Sequence, residues 1–287
     1  MSYDAAQGAR ALLAARAGYQ AARGVARQLA LGRARTRLRT RIEASTMWTA
    51  VPSLRLKDLD RDGALPPGAV ALTYDDGPDP NVTPVLLRLL EKYAARATFF
   101  MCGEAAKRHP QLVREIVAAG HSVGGHTWDH RSIMRRGISD VEWRHQIDDT
   151  HAVLSDLTNN NVRWFRPPRG IIDKYTWTKL GRQGLTTILW SIDGADCTLR
   201  DPKEVADRVL SSFGAGDIAL LHDANANFLY ATSRPRYGQL GNQESTVHAT
   251  ELILRSSRER NLIPVPLDLI PHQNMPRTGR PRVRLRR

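Results

Sequence analysis

Two adjacent carboxylates, Asp75 and Asp76, close the apolar run Val70-Ala71-Leu72 in the stretch Thr73-Tyr74-Asp75-Asp76-Gly77-Pro78. Ionised neighbours repel, so a turn that keeps them together makes chemical sense when a cation or a proton belongs to the site. Downstream, His126-Thr127-Trp128-Asp129-His130 sets two imidazoles at i and i+4, a spacing that lets both reach one point from a helical turn or tight loop. Together the two stretches suggest metal-dependent hydrolysis. Each alone also has a plain structural meaning, because Asp, Gly and Pro punctuate turns and a solvated loop can be rich in His.

Three more stretches share one layout, apolar residues that end in polar ones: Phe165-Arg166-Pro167-Pro168-Arg169-Gly170, Leu189-Trp190-Ser191-Ile192-Asp193-Gly194-Ala195-Asp196, and Ile218-Ala219-Leu220-Leu221-His222-Asp223. Taken singly, Arg-Pro-Pro is a polyproline-like connector and Leu-Leu-His a core strand with a satisfied histidine. Taken in order, the five stretches resemble the five motifs of the polysaccharide deacetylases, also called the NodB-homology domain or carbohydrate esterase family 4. Ala97-Thr98-Phe99-Phe100 and Gly103 resemble a further strand of that family, and the resemblance runs from about Gly68 to Asp268.

The resemblance implies roles. Asp76, His126 and His130 would ligate a divalent metal, zinc first, with cobalt, nickel or iron also suited to such nitrogen and oxygen donors. Asp75 would be the base that takes a proton from water, and His222 the acid that protonates the departing amine. Arg166 would orient Asp75, and Asp196 would orient His222. Backbone N–H groups just after Pro168 would help hold the tetrahedral oxyanion. Pro168, Arg169 and Trp190 are the expected substrate contacts. Two departures from the family pattern stand out: Arg169 where relatives often carry an aromatic residue, and Cys197 where they often carry a Trp that walls the sugar groove. Trp128, Trp164 and Trp190 are candidates for stacking on sugars, against the commoner use of Trp in a core.

The elements that must position these residues alternate. Strands are expected at Val70 to Tyr74, Ala97 to Met101, Val162 to Phe165, Thr186 to Ser191, Asp217 to Leu221 and Leu262 to Val265. Between them, helices are predicted to start at Thr83-Pro84, at Gln111 with an end at Gly120, at a Ser139/Glu142 capping box, and at Asp201-Pro202. Strand-helix alternation implies a parallel sheet, and the family comparison implies an α/β fold, an irregular (β/α)7-type barrel over residues 68–268. Every candidate residue follows the end of an expected strand, the rim where barrels gather their chemistry.

Charge separates the ends from this middle. The formal charge of +13 comes from nine arginines against Asp4 and Glu43 before residue 46 and six arginines with no acid after Pro271, so the intervening chain is formally neutral. Residues 1–60 are therefore expected to be a basic Ala/Arg-rich extension, helical on the basis of its interspersed leucines, and residues 271–287 a basic disordered tail. Such arms suit contact with an anionic polymer or a membrane surface, or simple solubilisation; specific nucleic-acid binding is not expected. The sequence carries no sign of oligomeric state. No apolar run approaches the roughly 20 residues of a membrane span. No secretory signal is read, and Cys102 and Cys197 are too few for a disulfide framework, which points to a cytoplasmic or membrane-peripheral enzyme.

The expected activity is hydrolysis of an N-acetyl amide on an amino sugar of an N-acetylglucosamine-containing glycan or glycan precursor. The alternatives are an amidohydrolase for a smaller N-acyl or cyclic amide, and a non-catalytic glycan- or polyanion-binding protein. The polar segment from Asp223 to Glu244, directly after His222, is the expected specificity element.

Overall fold

Strand β1 (Ala69–Asp75) is buried along its whole length, and its neighbours fix which side of it does what. The protein is described by a computed structural model covering residues 47–48, 55–60, 63–133, 138–225 and 243–271. The chain divides into two compact units, Met1–Trp48 and Thr49–Arg287. Met47–Trp48 is a short strand and the sole described part of the first unit. The expected helical extension therefore lies almost wholly outside the described residues, as does the C-terminal tail from residue 272 and positions 226–242 of the segment after His222. Within residues 55–60, however, Leu56 and Leu59 are buried in the same core as the sheet, so the barrel takes up the last part of the expected extension.

After β1 the chain runs through α1 (Thr83–Lys92), β2 (Thr98–Met101), α2 (Gly103–Arg108), α3 (Pro110–Ala118), β3 (Ser122–Gly125), α4 (Thr150–Thr158), β4 (Trp164–Phe165), α5 (Lys174–Arg182), β5 (Thr186–Thr187), β6 (Ile192–Asp193), α6 (Pro202–Leu210), β7 (Ile218–His222), α7 (Gln243–Glu259) and β8 (Ile263–Pro264). Seven strands pair in the order β5-β4-β3-β2-β1-β7-β6, all parallel, with β8 pairing the start of β1. The two edge strands, β5 and β6, are consecutive in sequence and joined only by residues 188–191. So short a link forces the sheet to curl until its edges approach, since an extended chain spans at most about 3.6 Å per residue. The expected (β/α)7-type barrel follows from that constraint.

Period-two alternation then sorts side chains. Val70, Leu72 and Tyr74 of β1, Phe99 and Met101 of β2, and Ala219 and Leu221 of β7 join the core between sheet and helices. Ala69 and Ala71, Phe100, Trp164 and Ile218 join the core inside the barrel. Continuing the inner row along β1 gives Thr73 and Asp75, and along β7 gives Leu220 and His222; the polar ends of the motifs therefore sit on the inner row at the C-terminal rim.

The helices close the outside. In α1, Leu86, Leu89 and Leu90 are buried at helical spacing, with Pro84 in the first turn. Thr83, expected as its cap, is instead the first helical residue, and its hydroxyl donates to Asp223 Oδ2 at 2.6 Å. Ser139 caps as expected, accepting from Glu142 N at 3.1 Å, and the helix it begins widens over Arg144–Asp149 before regularising as α4. Asp201 caps α6 by accepting from Lys203 N at 2.8 Å. Among the described residues no helix is long and apolar enough to cross a membrane.

Candidate active site

The rim carries backbone conformations that L-residues rarely adopt. Asp76 (φ 79), Thr127 (φ 66), His130 (φ 62), Arg169 (φ 59) and Ala195 (φ 54) all have positive φ, and all lie within or beside the motifs. Each such residue costs on the order of 1–3 kcal/mol and persists where its surroundings over-determine it, which is typical of functional sites. For Asp76 the surroundings are explicit. Its N–H donates to Phe100 O at 3.1 Å, and the next amide, Gly77 N, donates to Asp223 Oδ1 at 3.1 Å. Any Cβ at Gly77 would run into that Asp223 carboxylate, so the turn requires glycine.

Asp76, His126 and His130 come together from two different loops. Asp76 Oδ1 lies 3.3 Å from His126 Nε2 and 3.5 Å from His130 Nε2. Bonds of about 2.0–2.1 Å in a tetrahedral shell place neighbouring ligand atoms roughly 3.3–3.4 Å apart, so the three donors already have the spacing of such a shell. The tautomer agrees. His126 Nδ1 is 2.7 Å from Arg166 O, a carbonyl that can only accept, so Nδ1 carries the proton and Nε2 turns its lone pair toward Asp76. A lone pair facing a carboxylate across a buried gap calls for a cation between them.

Charge states fit as well. Burial, followed by the neighbouring His126, pushes the His130 pKa down to about 4, so the ring is neutral near pH 7 as a ligand must be. Burial pushes the Asp76 carboxyl up, but the surrounding imidazoles of His126, His222 and His130 outweigh this when they are protonated, so that protons added to the metal-free site go to the rings and the carboxyl is held well below the usual carboxylate range.

Asp75 faces two ways. Its Oδ1 accepts from Arg166 Nη1 at 2.7 Å, and its Oδ2 lies 3.8 Å from His126 Nε2, toward the three donors. Arg166 is fully buried and crosses the barrel to get there. On the way its guanidinium donates to Thr73 Oγ1 (2.8 Å), Ile188 O (3.2 Å) and Leu189 O (3.2 Å), and it lies over the Phe100 ring, 4.1 Å from the centroid. Ile188 and Leu189 belong to the link between the edge strands, so Arg166 also pins the seam of the curled sheet.

His222 is held in the same manner. Its Nδ1 is 2.8 Å from Asp196 Oδ1, while Asp196 Oδ2 accepts from His222 N (2.8 Å) and from Thr246 Oγ1 on α7 (2.7 Å). Burial alone would lower the His222 pKa, but the Asp196 charge and hydrogen bond, with a contribution from Cys197, raise it well above the usual histidine value.

A family model described as polysaccharide deacetylase matches residues 62–188. Over 168 residues the chain is 38% identical to a chitooligosaccharide deacetylase of Sinorhizobium fredii, an alignment covering 58% of this chain and 77% of that enzyme. The chain belongs to the polysaccharide deacetylase family. A peptidoglycan-N-acetylglucosamine deacetylase of Bacillus cereus is 36% identical over 156 residues, covering 54% of this chain and 72% of its own. Among solved structures, the Bc1960 peptidoglycan N-acetylglucosamine deacetylase superposes with a TM-score of 0.62 at 28% identity, covering 71% of this chain and 88% of that one. Polysaccharide deacetylases of carbohydrate esterase family 4 use a divalent metal, and the Asp76, His126 and His130 group is fit to hold one.

The expected substrate contacts of this polysaccharide deacetylase are placed unevenly. Pro168 is buried and opens a tight turn, and Arg169 is exposed beside His130, whose protonation it opposes. Of the amides after Pro168, those of Gly170 and Ile171 donate within the turn, to Pro167 O and Pro168 O, so neither is available to an oxyanion. Trp190 is half-buried against Gly170, where an added Cβ would come within 2.7 Å of its ring, and beside the Arg166 guanidinium. Trp164 is fully buried and bonded to Asp268, which makes it a core residue. Trp128 is partly exposed, tilted against the His145 ring with centroids 4.8 Å apart.

Sequence reasoning missed three groups. Thr73 was legible from strand alternation with Asp75. Asp223 follows His222 directly, yet nothing in its identity said that it would brace Gly77. Thr246 lies on a helix that the sequence pattern did not reveal, and no signal pointed to it.

Proposed function

We propose that this protein is a metal-dependent N-deacetylase that hydrolyses the acetamide of N-acetylglucosamine units in a glycan or glycan precursor. The observation that carries the assignment is the pairing of an Asp-His-His group with two separately held proton-transfer groups, Asp75 held by Arg166 and His222 held by Asp196. A binding protein has no use for both. Zinc is the ion we infer, because one carboxylate and two imidazoles with no sulfur are a common catalytic zinc set.

When bound, such an ion supplies Lewis acidity, activating water and drawing charge from the acyl oxygen. The residues supply the rest. Asp75, with Oδ1 tied to Arg166, keeps Oδ2 toward the centre and takes the proton of the attacking water. Asp196 holds His222 by Nδ1, which leaves Nε2–H as the donor to the amine as the C–N bond breaks. Amide hydrolysis needs both, because the amine is a poor leaving group until protonated.

The relatives named above are called chitooligosaccharide and peptidoglycan N-acetylglucosamine deacetylases, which supports this substrate class for the present chain. The basic ends are inferred to add non-specific contact with an anionic polymer or a membrane surface. The test is acetate release from chito-oligosaccharides of several lengths and from small N-acyl amides, after loading with one equivalent of zinc. Release from the sugars supports the proposal; release from the small amides alone replaces it with the amidohydrolase alternative. Deleting residues 1–45 and 272–287 should abolish retention on an anionic polymer at low salt while leaving release from a short oligosaccharide in place.

A further inference from the structure

Beside the Asp76, His126 and His130 group lies a second set of donors that the hydrolytic assignment does not use as ligands. Asp196, Cys197 and His222 each offer one ligand atom, and these atoms all lie within 4.8 Å of one another. Asp196 is buried, and Cys197 and His222 are partly exposed, so the set has a dry side and an approach from solvent. The Cys197 thiol is a free one, and its sulfur lies within 4.8 Å of a His222 ring nitrogen. Tetrahedral zinc with one sulfur needs ligand atoms roughly 3.3–3.8 Å apart, so small side-chain rotations suffice to close the set on an ion. Sulfur, imidazole and carboxylate together select zinc, and thiophilic ions such as cadmium, over calcium or magnesium.

We propose that Asp196, Cys197 and His222 form a second, inhibitory site for zinc-like cations. Binding there captures the general acid: one His222 ring nitrogen becomes a ligand, and Asp196 is drawn from the imidazole to the ion. Coordination by sulfur releases the thiol proton to solvent, and coordination by the ring nitrogen releases the proton that nitrogen carried. With its acid engaged, the enzyme can still polarise the amide but cannot protonate the leaving amine. The inhibitory consequence rests on the deacetylase assignment; the site itself does not. The two groups are electrostatic neighbours: Asp76 responds to the charge of His222, and Cys197 to that of Asp76.

Cobalt titration of the metal-free protein tests the site without reference to activity. The first group contains no sulfur, and the other cysteine, Cys102, is buried with its thiol toward His126 O. A sulfur-to-cobalt charge-transfer absorption should therefore appear only with the second equivalent, and should be absent from Cys197→Ser and Cys197→Ala. In parallel, the zinc concentration that half-inhibits acetate release should rise at least about tenfold in both variants relative to the parent. No sulfur band beyond one equivalent in the parent overturns the proposal, and so does a band that persists in both variants. If one equivalent of metal gives no acetate release in any of the three proteins, the deacetylase assignment fails, while the cobalt spectra still decide the second site.

Discussion

Asp75 and His222 are register partners on neighbouring parallel strands, their Cα positions matched at the C-terminal ends of β1 and β7. The proposed base and acid are thus spaced by the sheet itself, not by loops, and their mutual position is as rigid as the ladder between them. Asp75→Asn keeps the shape and an acceptor for Arg166 but removes the basic oxygen. Acetate release by this variant should fall by roughly 10²–10⁴-fold in kcat/KM, the range of general acid-base catalysis. Metal content should stay at that of the parent, because Asp76 and the two histidines remain. Activity within a few-fold of the parent would remove Asp75 from the role of base.

Asp196 has a different relation to its partner, since it sets the charge of His222. Burial lowers the His222 pKa and the Asp196 carboxylate more than reverses this, so the ring keeps its proton to a pH well above the ordinary histidine range. An acid must be protonated to act, so activity is present below that pKa and is lost as pH rises through it, forming the alkaline limb of the profile. Asp196→Asn removes the negative charge, which lowers the pKa and moves the limb to lower pH. A bound dication repels the imidazolium in parent and variant alike, so the direction of the difference survives metal loading. The profile of kcat/KM against pH measures it; an unmoved limb would separate His222 from the proton transfer.

Arg166 illustrates what the sequence disclosed and what it hid. Its presence in Arg-Pro-Pro, and its bond to Asp75, were legible from the motif. Its donations to Ile188 and Leu189 across the seam were not, because they depend on the sheet curling until its edges meet. In the same way β1 and β7 announced themselves by apolar runs ending in the motifs. The helices α2, α5 and α7 gave no comparable pattern. In α5 only Thr176 and Leu180 are buried, too sparse a stripe to read, and its cap Asp173 was hidden among polar neighbours. Trp164 and Trp190 could not be sorted between sugar and core by residue type, since a strand beside a rim exposes some aromatics and buries others.

The seam gives Arg166 a structural duty that can be measured apart from catalysis. Lysine in its place keeps the charge but carries one nitrogen, where the guanidinium now serves Asp75, Thr73, Ile188 and Leu189. Leaving buried acceptors of this kind unpaired costs about 1–3 kcal/mol each, so the urea midpoint of Arg166→Lys should drop clearly, with acetate release lost even where the protein is fully folded. A midpoint equal to that of the parent would show that the four bonds do not act on stability.

Asp223 offers the complementary case, a buried carboxyl without a basic partner among the described residues. Its Oδ1 accepts from Gly77 N and its Oδ2 from Thr83 Oγ1, yet burial, with Asp79 and Asp76 nearby, pushes its pKa up to about 7. A folded pKa above the unfolded value of 3.8 means that the folded state holds a proton the unfolded chain gives up. The stabilisation is therefore complete below about pH 4 and is lost as pH rises through about 7. Asparagine carries no such proton, so the metal-free parent should lose stability relative to metal-free Asp223→Asn between pH 5 and pH 8. Loading with metal should shrink that difference, because a cation at Asp76 offsets the charge that Asp223 acquires. Urea midpoints of both proteins at the two pH values, with and without zinc, are the measurement. A parent-minus-variant difference that stays flat or grows with pH would show that Asp223 is already ionised in the fold.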